Sequence, residues 1–179
     1  MDGPLTLAQT AALLDGHARA ENELFRVLGF WSTNPPSDDP AAAVQAVLAA
    51  ESAHHGWRAE QWEIRRVRSV DPDPEPDLVS DADRLAAAVA AAVGEEIDSA
   101  SRLALWGHLW APFLAARYAR HRRSVSPAAD EGVLRWLDMC ISDLQRGATA
   151  AVVGLGDLRP GDRARVAESL AGAARLLVA

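Results

Sequence analysis

The sequence contains no lysine and a single cysteine, Cys140. All 18 basic residues are arginine and 25 residues are acidic, so the formal net charge is −7. This acidic balance argues against a nucleic-acid-binding protein, because such proteins present a basic surface. One cysteine excludes an internal disulfide framework and a zinc site built from several thiolates. We expect Cys140 to be a buried structural thiol.

Long hydrophobic runs are also missing. The alanine-rich stretches are interrupted by charged residues, and none reaches the length of a membrane span, so we expect no membrane association. The first ten residues, MDGPLTLAQT, lack a basic segment followed by an apolar one, so we expect no secretory signal. A chain of 179 residues that is 49% hydrophobic predicts one cytoplasmic domain over residues 1–179.

Strand signals are nearly absent, because β-branched residues rarely alternate with polar ones, and helix-forming residues dominate. We expect breaks at the proline-rich stretches 32–40 and 71–77, and a kink or split at Pro112. Thr6 is expected to cap the first helix. The pattern predicts an all-α helical bundle over about 6–153 with an accessory C-terminal helix over 162–177. The predicted helices cover residues 6–28, 41–67, 82–93, 97–123, 129–153 and 162–177.

Polar residues interrupt the apolar stripes of the first two helices. Residues at alternating steps of three and four share one helix face and should point to the core. A carboxylate or imidazole in such a stripe is unfavourable unless it is paired or binds a metal. The first stripe comprises Leu7, Thr10, Leu14, His17, Glu21, Leu24 and Leu28. The second comprises Val44, Val47, Leu48, Glu51, His54, His55 and Trp62.

Glu51 and His54 form a Glu-x-x-His motif, which places both side chains on adjacent turns of one helix face. With Glu21 from the first helix they could hold a metal ion. Further oxygen and nitrogen ligands could come from His17, His55, Asp138 and Asp143. The alternative is that His17, Glu21, Glu51 and His54 form a buried hydrogen-bonded network, which could include Arg58. His121, within RYARHRR, is expected to be solvated.

Three stretches are similar to small, uncharacterised ferritin-like proteins of actinobacteria: GHARAENELF (16–25), ESAHHGWRAEQW (51–62) and SPAADEGVLRWL (126–137). The chain therefore resembles the ferritin-like di-iron carboxylate superfamily. The resemblance implies a four-helix bundle with a long crossover connection, and it assigns Glu21, Glu51 and His54 to the first half of a metal site. The second half departs from the family pattern. Residues 97–123 contain no Glu, and neither Asp138 nor Asp143 is followed three residues later by His.

Six tryptophans are many for a chain of this length. They either fill the core and the helix interfaces, or form an aromatic wall around a small-molecule pocket. The five that we assign to such a pocket are Trp57, Trp62, Trp106, Trp110 and Trp136.

Two functions are compatible with these features. The first is a ferritin-like bundle with a vestigial or single-metal site that binds a small molecule or a protein partner, carrying no cofactor or one weakly bound iron, manganese or zinc ion. The alternative is an iron-dependent oxidoreductase that acts on a small organic substrate with oxygen. Alanine-rich helix faces, such as that over residues 86–93, could pack against a second copy or within one subunit; of the two, we expect a homodimer.

Overall fold

A computed structural model describes residues 5–36, 42–66, 76–93, 97–126, 130–155 and 160–178. Over these residues the chain forms six helices and no strand, which confirms the predicted all-α class. Among the described helices, none combines the length and the apolar character that crossing a membrane requires. The helices are α1 (Leu7–Thr33), α2 (Ala42–Arg65), α3 (Pro76–Val93), α4 (continuous over 99–124), α5 (Glu131–Gly154) and α6 (Pro160–Val178).

α1 begins where the sequence predicted and ends later. The hydroxyl of Thr6 accepts a hydrogen bond from the Gln9 backbone N–H, and the Gln9 side chain accepts one from the Thr6 N–H, which forms a capping box. The predicted end after residue 28 is wrong, because the helix continues through Gly29 to Thr33. The added turn buries Trp31, whose ring stacks on Trp110 of α4 with 5.3 Å between ring centroids.

α4 is not split at Pro112. It is α-helical over Ser99–Ala104 and Ala111–Ser124, with a π-helical turn over Leu105–Trp110 between them. In this turn the Ala111 N–H donates to the carbonyl of Trp106, five residues earlier. Proline has no N–H, and its ring clashes with the carbonyl four residues before it in a regular α-helix. The wider π turn relieves this clash and lets the helix continue.

Contacts between helices fix their directions. The Ser52 hydroxyl of α2 donates to the Phe25 carbonyl of α1 at 2.8 Å, and Glu21 of α1 contacts Arg58 of α2, so α1 and α2 are antiparallel. α2 and α4 are parallel, because His55 packs on Trp106 and Trp62 packs on Tyr118.

α4 and α5 are antiparallel, since Arg122 pairs with Asp138 and Gly107 faces Ala151. The four long helices therefore run up, down, down and up.

The long connection between α2 and α4 contains a helix of its own. α3 packs against α1 and α6, and its inward residues are Leu85, Ala88, Val89 and Ala92. The helix begins at Pro76, six residues before the predicted start and within the acidic proline-rich stretch, where proline suits the first helical position. Residues 37–41 and 67–75, which hold part of each predicted break, lie outside the described part of the chain, and α1 extends to Thr33 within the first predicted break.

The predicted face of the C-terminal helix is confirmed. Val166, Ala173 and Leu177 of α6 are buried in the same core cluster as the residues of α1 to α5, and Leu170 packs against it. The predicted stripe of α1 is also buried between Leu14 and Leu28, but Leu7, in the first turn of the helix, is exposed.

Gly107 marks the closest approach of α4 to α5. A Cβ at this position would lie 2.5 Å from the Ala151 Cβ, a side-chain atom that cannot rotate away. We expect Gly107→Ala to lower the free energy of unfolding by about 1–3 kcal/mol through overpacking, measured by urea denaturation. Gly132→Ala is the control, because no atom would lie within 4 Å of its new Cβ. That variant should gain about 0.5–1 kcal/mol, and a loss of equal size in both would contradict the packing argument.

Candidate functional site

Glu21 lies at the centre of a polar cluster in the middle of the bundle. Its side chain is completely buried, and two other helices, α2 and α4, supply its partners. Arg58 of α2 donates from Nε to Glu21 Oε1 at 2.9 Å, and the Tyr118 hydroxyl of α4 donates to the same oxygen. His55 Nδ1 of α2 contacts Glu21 Oε2. Trp62 Nε1 donates to the Tyr118 oxygen at 2.9 Å. Both carboxylate oxygens are therefore occupied by partners from the protein.

The charges of this cluster compensate one another. Burial by itself would raise the pKa of Glu21, but the charge of Arg58 and the hydrogen bonds from His55 and Tyr118 hold it below its usual value. Burial would lower the pKa of Arg58, whereas the Glu21 carboxylate raises it. The pKa of Tyr118 lies well above its usual value because of burial and the nearby Glu21 charge. The cluster thus holds a charged Glu21–Arg58 pair with a neutral tyrosine that donates to it.

His55 is held as a neutral imidazole. Burial lowers its pKa to about 4, and Arg58, whose second guanidinium nitrogen lies 3.0 Å from Nδ1, acts in the same direction against the opposing effect of Glu21. The Glu21 contact assigns the proton to Nδ1. Nε2 is buried and has no hydrogen-bond partner among the described residues. The His55 ring packs perpendicular to the Trp106 ring, with 4.7 Å between the ring centroids.

A pair of buried histidines, His17 and His121, lies between this cluster and one end of the bundle. His17 Nε2 and His121 Nδ1 are 3.0 Å apart, and Arg117 Nε donates to His17 Nδ1 at 3.1 Å. Since His17 Nδ1 accepts a bond, its Nε2 carries the proton and donates to His121. Burial, followed by Arg117, lowers the pKa of both histidines, that of His121 to about 4. The expectation that His121 is solvated is wrong, because α4 turns it inward against α1.

The predicted ligand residues of α2, Glu51 and His54, do not lie on the face of α2 that contacts Glu21. The His54 side chain is 61% exposed, and its Nδ1 lies 3.7 Å from Glu51 Oε2. Glu51 is partly buried beside Gly147 of α5, and burial raises its pKa. The buried residues of α2 are Arg58 and a stripe at steps of four and three: Leu48, Ser52, His55, Ala59 and Trp62. Glu21 therefore contacts His55 instead of the predicted His54.

The two aspartates suggested as additional ligands are engaged on the surface. Asp138 accepts a hydrogen bond from Arg122 Nε, and both side chains are exposed. Asp143 pairs with Arg146 on the same helix. Neither is a hydrogen-bond or ion-pair partner of Glu21: the Asp138 side chain is 54% exposed, and that of Asp143, which is 25% exposed, is held by Arg146.

The donor set around Glu21 does not fit a metal ion. Metal binding needs several carboxylate, imidazole or thiolate groups that converge on one point with free lone pairs. Here the Arg58 guanidinium, which is positively charged, occupies the space beside Glu21, and it would repel a divalent cation. Across the described ranges, no group of three or more His, Cys, Asp or Glu side chains is arranged to hold a metal.

The tryptophans pack against one another and against the cluster. Trp62, Trp106 and Trp110 are fully buried and Trp136 nearly so, whereas Trp57 is 45% exposed. Ring centroids are 5.1 Å apart for Trp57 and Trp136, and 5.8 Å apart for Trp62 and Trp136. These rings fill helix interfaces. Cys140 is buried as expected, and burial raises the pKa of its thiol.

Sequence reasoning missed Tyr118 and assigned the wrong histidine of the pair. The large apolar residues Leu48 and Trp62 are 14 residues apart, which is close to four helical turns, and His55 lies halfway between them. That spacing would have selected His55 for the core face. Tyr118 is the only tyrosine of the chain, and a buried tyrosine usually needs a hydrogen-bond partner.

Comparison with known proteins adds no assignment. No family model, no curated protein and no solved structure matches this chain.

The Glu21–Arg58 pair gives a stability prediction. Glu21→Gln removes the negative charge and leaves Arg58 as a buried cation, so we expect the free energy of unfolding to fall by about 3–5 kcal/mol. Replacing both residues, as in Glu21→Leu with Arg58→Met, should lose less than the single change, because no buried charge is left behind. Urea denaturation measures both. Glu23→Gln, on the outer side of the same helix, is the control, and a similar loss there would show that the pair is not special.

Acid should destabilise the fold at a pH where most carboxylates are still ionised. His55 and His121 have a pKa of about 4 in the folded chain against 6.5 when unfolded, so between these values only the unfolded chain takes up their protons. As the pH is lowered through this range, the free energy of unfolding should therefore decrease by up to about 1.4 kcal/mol per pH unit for each buried histidine. The loss continues below pH 4.5 as Glu21, whose pKa is lowered, becomes protonated.

Urea denaturation between pH 7 and 4.5 measures this slope. His121→Gln should make it shallower by one histidine, whereas His54→Gln, which changes an exposed side chain, should leave it unchanged. An identical slope in the His121 variant would contradict the assignment of a neutral, buried imidazole.

Proposed function

We propose that this chain is a ferritin-like helical bundle in which an internal ion pair has replaced the metal centre, and that it works by binding a small molecule or a protein partner and not by metal-dependent catalysis. The observation that carries the proposal is the position of Arg58. Its Nε lies 2.9 Å from Glu21 Oε1 and its terminal nitrogen lies 3.0 Å from His55 Nδ1.

The helix directions support the ferritin-like part of the proposal. The order up, down, down and up with a long connection between the second and third long helices is the arrangement that the resemblance implies. Glu21 lies inward on the first helix, and Ser52 and His55 lie inward at the spacing of a Glu-x-x-His motif on the second. Serine stands where the motif would need glutamate, and Tyr118 of α4 meets Glu21 where the pattern would need another carboxylate.

Arg58 can supply the positive charge that a metal ion would otherwise bring to Glu21. A guanidinium is planar, stays charged when buried, and offers several donors in a fixed geometry. Unlike an iron ion, the guanidinium does not bind molecular oxygen and does not transfer electrons. The cluster can therefore stabilise the bundle without taking part in a reaction. The predicted cytoplasmic location and the predicted homodimer remain predictions.

Metal content and oxygen chemistry test the proposal. Protein purified without chelators should contain at most one metal ion per chain, weakly held, and ferrous iron mixed with oxygen should give no transient visible band. Any weak binding should come from the surface pair Glu51–His54 and should disappear in His54→Gln. The measurements are elemental analysis and stopped-flow absorption. Two tightly bound irons with an oxygen-dependent band would overturn the proposal in favour of an iron-dependent oxidoreductase.

A further inference from the structure

A cleft lies at the end of the bundle where α1 begins, α2 and α4 end, and α5 begins. It encloses about 360 Å³, a volume in the range of small-molecule sites. The greater part of its wall is apolar and includes Leu5, Leu14, Val125 and Val133. Two basic side chains, Arg65 and His121, also line it. This combination of an apolar wall with few polar groups is typical of a site that recognises an amphiphilic ligand.

Arg65 lines the cleft, and its guanidinium is held in place by neighbouring groups on the protein. Its guanidinium lies over the ring of Trp136 at 4.6 Å, and NH1 donates to the Gln61 carbonyl at 2.8 Å. No described carboxylate lies within ion-pair distance of it, in contrast to its neighbour Arg66, which pairs with both Asp15 and Glu63. Holding a guanidinium in place before a ligand arrives reduces the entropy lost on binding.

His121 forms the inner wall of the cleft and is 3% exposed. Its Nδ1 accepts the bond from His17 Nε2, which leaves Nε2–H as the donor that remains for a ligand. Arg117 lies behind the two histidines, and its charge lowers their pKa, so the inner end of the cleft is electropositive. The acidic group that lines the cleft, Asp130, is exposed, and it does not cap α5 through its side chain.

We propose that this cleft binds a small organic carboxylate with an apolar tail, whose carboxylate lies on Arg65 and His121 and whose tail lies along Leu5, Leu14, Val125 and Val133. Charge-assisted hydrogen bonds from a guanidinium to a carboxylate are among the strongest in proteins. The inference rests on the proposed function, because it gives a ligand class to a bundle that we propose to act by binding.

The test is isothermal titration of the full chain with octanoate, 1-octanol and octylammonium, which share one tail and differ in the head group. We expect saturable octanoate binding that is at least about tenfold tighter than that of 1-octanol, since a charge-assisted hydrogen bond contributes more than this factor requires. Arg65→Gln should weaken octanoate binding at least about tenfold and leave 1-octanol unchanged. Arg66→Gln is the matched control and should bind octanoate like the original chain.

Three results would overturn the inference: no saturable octanoate binding at millimolar concentration, unchanged octanoate binding in Arg65→Gln, or a preference for octylammonium. Thermal melts of both arginine variants separate lost binding from lost folding, and His121→Gln offers a second variant that should also weaken octanoate. These outcomes are independent of the metal test. A di-iron centre would overturn the proposed function while leaving octanoate binding intact, and failed octanoate binding would leave the metal result unaffected.

Discussion

The buried ion pair between Glu21 and Arg58 is the interaction on which the rest of the bundle depends. Moving two charges out of water is unfavourable by several kcal/mol per ion, and only close geometry with further hydrogen bonds can offset this. His55 and Tyr118 supply those bonds. These four residues lie on α1, α2 and α4. The hydrogen bonds among them can therefore form in only one register of the three helices relative to one another. A slip of any of them would expose a bare charge to the apolar core.

The buried polar residues form one continuous network that extends from the Glu21 cluster to His121. The His17 ring packs on Trp62 at 4.8 Å and on Tyr118 at 4.7 Å, so it links the Glu21 cluster to His121 and to the cleft at the end of the bundle. Aromatic rings surround the polar groups on several sides and separate them from solvent. The low dielectric that results strengthens each hydrogen bond and makes every unpaired polar atom unfavourable.

Much of the backbone could be predicted from local signals, and the interior could not. The capping box at Thr6 and the apolar face of α6 each depend on residues only a few positions apart in the sequence. Helix geometry alone decides whether such residues are in contact or share a face. The face of α2 was misjudged because the residues on either side of the two histidines, Ala53 and Gly56, are small and carry little information about which face is buried. His54 and His55 differ by about 100° around the helix. Only Leu48 and Trp62, which are large, distinguish them, and the partnership of Arg58 with Glu21 depends on how two distant segments meet.

The π turn of α4 has a consequence for chain length. A π turn contains one residue more than the α turn it replaces, so the second half of the helix is displaced by one position in the helical phase. Tyr118 meets Glu21 only with this displacement. A deletion of one residue between Leu105 and Trp110 would remove this displacement and rotate Tyr118 about 100° away from the carboxylate. Related chains that keep the tyrosine should therefore keep the length of this segment, even where its residues differ.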